Sequence, residues 1–312
     1  MKAWRLTGAN EPLQLFDIPE PTAGPGEIVV DVKAAGICHT DVGYLDGTLT
    51  GILGFTPITL GHEIAGMVSA LGEGVTGFEV GQKVVIPASV PGPGTGTDGG
   101  FAEKVKAFDY QVIPLPDGVP WEQAAPATDA GMTSYHALKR GGVTAQTRLG
   151  IIGAGGLGSL AIQFAKGLGS EVYVAETNHD AWERIQGLGV DGLADSIREF
   201  ADKELDVIVD YAGFGTTTDD AIETIRAGGT VVQVGMGVER ADISTTSIML
   251  KQVNYLGSLG GNNEDAAEVL EMLAAGTVSA TVETVGFGNI DEAIDRFARG
   301  DATTGRLVAV RD

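Results

Sequence analysis

The chain has one cysteine, Cys38, in 312 residues. A single thiol cannot close an internal disulfide, and it cannot build a four-cysteine metal site. Positive charge is also scarce. There are 20 Lys and Arg against 42 Asp and Glu, a formal net charge of −22. A field of that sign repels nucleic acid and anionic membrane surfaces, so neither is expected as a partner. The acids are dispersed, which reads as a solubility surface, or as adaptation to salt, and not as an acidic tail. No apolar run approaches the roughly 18 residues of a membrane span. The opening MKAWRLTGANEPLQL has no apolar segment of the signal-peptide kind, and a cytoplasmic location is expected. Glycine, by contrast, is abundant: 47 residues in a chain that is 43% hydrophobic. That many glycines require many tight turns, as in an α/β or sheet-rich globular fold of one large or two ordinary domains.

Three regions follow one another. Up to about residue 125, EIVVDVKAAGI (27–37), IAGMVSAL (64–71), QKVVIPAS (82–89) and AEKVKA (102–107) read as short strands punctuated by Gly and Pro. ASVPGPGTGTDGG (88–100) reads as a surface loop. From about 130 the rhythm becomes strand–helix: RLGIIGAG, LGSLAIQFAKGLG, EVYVAET, AWERIQGLG, LDVIVDYAG, TTDDAIETIRAGG, TVVQVGM. This alternation predicts a parallel sheet with helices on both faces. The tail carries helices at 264–276 and 290–300 and strands near 280–287 and 305–311, and is expected to rejoin the first region. The expected domains are therefore 1–129 with 260–312, and 130–259.

Gly153, Gly155, Gly156, Leu157 and Gly158 lie in GAGGLG, between an apolar strand and an amphipathic helix. Gly153 permits the turn, Gly155 lets a pyrophosphate approach the backbone, and Gly158 lets helix and strand pack closely. The helix N-terminus adds unpaired N–H groups and partial positive charge. Glu176 ends the next strand, 18 residues after Gly158, where a carboxylate can accept the adenosine ribose hydroxyls. No Arg or Lys occupies 177–183, so NAD is expected over NADP. GICHTD holds Cys38, and GHE holds His62 and Glu63, 24 residues later. From the residues alone, Cys38 is open to three readings: a small core side chain, a nucleophile with a His base, or a metal ligand.

GICHTD, GHE, TDGGFAEKV (97–105) and IIGAGGLGSLAIQFAKGLG, in that order, resemble the zinc-dependent medium-chain alcohol dehydrogenases over nearly the whole chain, including the late Gly305-Arg306 pair. The resemblance implies an α/β protein with a GroES-like, β-rich catalytic domain interrupted by a Rossmann domain with a doubly wound parallel sheet, the active site lying in the cleft between them. It implies Cys38 and His62 as zinc ligands, Glu63 as the carboxylate beside the metal, and Thr40 as the hydroxyl that bonds the substrate oxygen. His39 and Arg306 match positions that contact the cofactor pyrophosphate, and Asp41 an acid that supports the zinc site.

Three features depart from the family pattern. The third ligand position, usually Cys, holds Asp129, which is read as a ligand or as a cap of the following helix. The stretch that carries a four-cysteine structural zinc lobe in many members is the short run ASVPGPGTGT, so one catalytic zinc and no structural zinc is expected. A relay histidine is replaced by Gly43.

The resemblance implies hydride transfer between a small-molecule alcohol, secondary or aryl, and NAD(H), giving ketone or aldehyde. Ser89, Met236 and Leu259 fall at pocket positions, with Trp121, Tyr44 and Leu49 as further walls or core residues. A homodimer or homotetramer is expected through the late Rossmann strands. The alternatives are a zinc-free quinone or enoyl reductase of the same fold and a non-catalytic nucleotide-binding protein.

Overall fold

The computed structural model describes residues 1–300 and 305–311. It holds two compact units, Met1–Met132 with Asn262–Asp312, and Thr133–Gly261. The first unit is organised by one long strand, Glu27–Ile37. Its apolar residues are buried on both faces, so it reads as a central strand. One edge pairs antiparallel with Glu63–Leu71 along most of its length. The other edge is shared. Lys104–Phe108 takes the first half (Glu27↔Phe108 to Asp31↔Lys104), and the tail strand Arg306–Val310 takes the second (Ala34↔Val310 to Ile37↔Leu307). The register sets Gly36 opposite Glu63 and Ile37 opposite Leu307. Cys38, His62, Glu63 and Arg306 therefore stand at the same end of three adjacent strands, although 243 positions separate Glu63 from Arg306.

Several short strands escaped the sequence reading, among them the first two. Lys2–Leu6 and Gln14–Asp17 form a three-stranded antiparallel sheet with Ile58–Thr59. Charged residues interrupt their apolar alternation, and tertiary contacts supply what the pattern lacks: Trp4 is buried and its indole N–H donates to the Phe287 carbonyl at 2.9 Å. The first region is also not wholly strand, since His39–Leu45 and Trp121–Pro126 are helices. The loop expected at the surface is instead partly interior, with Gly92, Pro93, Gly94 and Thr95 buried. Thr95 ties it together by donating to the Ser89 carbonyl at 2.8 Å and accepting the Gly92 N–H at 2.9 Å. Gly94 has φ +81°, and a Cβ there would stand 2.5 Å from the Gly61 carbonyl oxygen. Bare backbone packs on bare backbone in this segment.

The second unit is a six-stranded, all-parallel sheet. Its spatial order is Gly192–Ala194, Glu171–Ala175, Arg148–Ile152, Val207–Asp210, Thr230–Gln233, Asn254–Gly257. The first strand of the unit lies centrally, and the chain winds outward from it in both directions. This is the doubly wound order, whose switch point lies at the C-terminal end of Arg148–Ile152. Among the described residues, no helix is long and apolar enough to cross a membrane.

Candidate active site

The glycine loop leaves the switch-point strand at Gly153, which adopts φ +83°. A side chain is disfavoured in that conformation. At Gly158, a Cβ would stand 2.9 Å from the Gly153 carbonyl carbon, so the helix Gly156–Leu168 can pack this close only with glycine there. Gly155 is different: no heavy atom lies within 4 Å of where its Cβ would be. The space beside the helix N-terminus is open, as an approaching pyrophosphate requires. Gly156 and Leu157 begin the helix, so their N–H groups have no partner from the preceding turn. Glu176 stands at the neighbouring strand end. Its Oε2 accepts the Ala154 N–H and its Oε1 the Asn178 N–H, each at 2.8 Å. A carboxylate oxygen has two acceptor sites, so capacity remains on both for ribose hydroxyls.

In the first unit, Cys38, His62, Glu63 and Asp129 each offer a ligand atom, and these atoms all lie within 4.8 Å of one another. Cys38 is the N-cap of helix His39–Leu45. Its Sγ lies 3.5 Å from Asp129 Oδ2 and 3.5 Å from the Thr40 hydroxyl oxygen. His62 turns Nε2 toward Asp129 Oδ2 (3.7 Å) and Nδ1 toward Asp41 Oδ1 (3.4 Å). The second approach lacks hydrogen-bond alignment and leaves Nδ1 a buried atom without a hydrogen-bond partner. Asp41 is fully buried and also accepts the Cys38 N–H at 2.9 Å. It therefore caps the helix and faces the outer nitrogen of His62, on the side where a ligating imidazole takes its supporting acceptor.

Asp129 does not cap a helix. It lies inside the single π-helical turn Ala127–Gly131, which follows Trp121–Pro126. Such widened turns recur at functional sites, where they redirect a side chain. The sulfur, nitrogen and oxygen donors of this set fit a zinc ion, which takes all three ligand types.

Opposite charges are paired within the cluster. Burial alone would lower the pKa of His62, but the charge of Asp41 and contacts with Asp129, Asp41 and Cys38 outweigh it and hold the pKa well above the ordinary imidazole value. Arg306 is 4% exposed. It pairs with Glu63 through Nη2 and through Nε (3.2 Å), and Nη2 also donates to Asp129 Oδ2 at 3.0 Å. The expectation for Arg306 was a phosphate contact; its described partners are two carboxylates of the metal cluster. The pairing depends on Gly36. Glu63 is directly opposite Gly36, and a Cβ on residue 36 would stand 2.7 Å from the Glu63 carboxyl carbon. The carboxylate reaches Arg306 by crossing the strand where no side chain stands. His39 keeps an exposed edge, but its ring packs 4.1 Å from Phe297, and burial together with the charge of Arg306 lowers its pKa.

Gly43 has a packing reason. A Cβ there would lie 2.7 Å from Leu49 Cδ1, so a histidine cannot enter without displacing Leu49. Of the pocket residues, Ser89 is half-buried, whereas Met236 and Leu259 in the second unit are exposed. Tyr44 belongs to the core, at 1% exposure, and Leu49 packs against that core. Trp121 carries Lys83 Nζ 5.4 Å from its ring centroid.

Known proteins resemble this chain along nearly its whole length. Residues 24–117 match the alcohol dehydrogenase GroES-like domain, and residues 156–275 the zinc-binding dehydrogenase domain. An alcohol dehydrogenase of Geobacillus stearothermophilus is 31% identical, with 99% of each chain covered. The chain belongs to the zinc-binding alcohol dehydrogenases. Among solved structures, acetophenone reductase from Geotrichum candidum in complex with NAD is 30% identical, with a TM-score of 0.89 over 99% of this chain and 97% of that one. The alcohol dehydrogenase of the archaeon Aeropyrum pernix is 28% identical, with a TM-score of 0.90 over 100% of both chains.

Proposed function

We propose that this chain transfers hydride between a secondary or aryl alcohol and NAD, giving ketone or aldehyde, with one zinc ion held by Cys38, His62 and Asp129. The observation that carries this reading is the convergence of the chain's single cysteine with His62, Glu63 and Asp129 in one buried cluster. A zinc ion bound there supplies Lewis acidity, which makes the proton of a nearby alcohol easier to lose. Thr40, whose hydroxyl adjoins Cys38 Sγ, would orient the alcohol oxygen and accept a hydrogen bond from it on Oγ1, taking that proton only as its own hydroxyl proton passes on. Asp41 lies 3.4 Å from His62 Nδ1 and attracts it by charge, and Arg306 holds Glu63 beside the metal position. The Gly153–Gly158 loop holds the pyrophosphate, and Glu176 the ribose. Gly43 supplies no side chain to carry the proton onward from Thr40.

A small side chain at Ser89 leaves room for a bulky carbonyl substituent, and the likeness to an acetophenone reductase supports an aryl substrate. Assembly uses the sheet edge Asn254–Gly257, where Tyr255 and the neighbouring Met249 and Leu250 are exposed, in a homodimer or homotetramer. The acidic surface and the single thiol support a cytoplasmic location. The test is turnover of NAD by zinc-loaded protein across a panel of primary, secondary and aryl alcohols and their carbonyls. Secondary or aryl pairs should turn over fastest, and absence of NAD-linked turnover across the panel overturns the reading.

A further inference from the structure

Residues 177–183 contain no Arg or Lys, but the next position is Arg184. It lies on the short helix Trp182–Gly187 that follows the Glu176 strand. Its side chain turns back to the glycine loop, where Nη2 donates to the Ala154 carbonyl at 3.1 Å. Nε and Nη1 are shielded from solvent and have no hydrogen-bond partner among the described residues. Leaving guanidinium donors unmatched is unfavourable, so the position is not explained by local hydrogen bonding alone.

Ala154 is held from both sides. Its N–H is bonded to Glu176 Oε2 at 2.8 Å, and its C=O to Arg184. The Ala154 carbonyl belongs to the same peptide unit as the Gly155 N–H. In a trans peptide these two groups point in opposite directions. Fixing the carbonyl on Arg184 therefore aims the Gly155 N–H away from Arg184. We propose that Arg184 is a positioning residue for the dinucleotide: it fixes the Ala154–Gly155 peptide, whose other side Glu176 holds, so that the ribose-reading carboxylate and the pyrophosphate-holding backbone form one preorganised unit. This rests on the reading of the loop as the NAD site. Arg184 acts through Ala154 and does not itself read a phosphate.

The test is titration of NADH, and separately NADPH, into zinc-loaded wild type, Arg184→Gln and Arg184→Lys, with steady-state kinetics alongside. Arg184→Gln should raise the NADH Kd about tenfold, the scale of one lost charged hydrogen bond. KM for NAD should rise in parallel while kcat at saturation changes less than about twofold. Arg184→Lys keeps one charged donor and should recover to within about threefold of wild type. If Arg184→Gln fails to fold, Arg184→Met takes its place as the variant without a charged donor: a raised Kd with kcat preserved supports the proposal and an unchanged Kd overturns it. Unchanged NADH affinity in a folded Gln variant, or a fall in kcat with KM unchanged, also overturns it. A selective loss of NADPH binding would make Arg184 a phosphate reader and overturn it as well. If wild type binds no NADH, the nucleotide-site reading falls, and the proposal with it.

Discussion

Gly36→Ala should disable the metal cluster without touching a ligand. The added methyl would lie 2.7 Å from the Glu63 carboxyl carbon, well inside contact distance. The neighbouring backbone cannot yield, because Gly36 is paired on both edges, to Glu63 and to Val308. The carboxylate must swing away, and its contacts with Arg306 are lost. Both partners are buried, Glu63 fully. Breaking one side of a buried ion pair typically costs about 3–5 kcal/mol. Arg306 keeps Asp129 at 3.0 Å, which offsets part of the loss, so about 2–4 kcal/mol is expected. At roughly 2–4 °C per kcal/mol for units of this size, the melting temperature should fall by about 4–16 °C. Arg306 would then bear more heavily on Asp129 and draw it from the metal, so zinc affinity should fall too. Differential scanning calorimetry of the metal-free protein and competition with a chromophoric chelator read the two effects. A Gly36→Ala protein that melts with wild type and holds zinc equally well would refute the crossing-carboxylate reasoning.

Other outcomes follow from the same geometry. His62 has a raised pKa in the metal-free cluster, so its stabilising contribution is complete below about pH 6.5 and is lost as pH rises through the folded value. Zinc must displace that proton, so zinc affinity measured by chelator competition should rise with pH over the range in which metal-free stability declines. With a net charge of −22, the folded chain should gain several degrees of melting temperature as NaCl is raised from about 0.01 M to about 1 M, since screening relieves self-repulsion; a fall on adding salt would contradict this. Ser89→Phe should reduce kcat/KM for aryl carbonyls far more than for small aliphatic ones, and equal losses would remove Ser89 from the substrate pocket.

The strand–helix alternation after residue 130 and the placement of GAGGLG were legible because each depends on local periodicity and on glycine chemistry. The metal cluster was less so. Cys38 and His62 are 24 residues apart, a spacing with no meaning by itself, and resemblance to a family was what connected them with Asp129. Arg306 could not be placed by pattern, since its partners come from strand pairing between the two ends of the chain. Gly43 was legible as a missing histidine but not as a packing requirement, because the atom that fills the space belongs to Leu49. Glycine in 88–100 suggests an exposed loop, whereas here it allows backbone to pack on backbone inside the unit.

The most direct test of the zinc-dependent reading is zinc K-edge X-ray absorption on the purified protein with NAD bound, together with metal stoichiometry. The expected result is one zinc per chain with a single sulfur at about 2.3 Å and nitrogen or oxygen neighbours at about 2.0–2.2 Å, and a shell that changes in Asp129→Ala. A shell without sulfur, a shell unchanged in Asp129→Ala, or no bound zinc in catalytically active protein would contradict it.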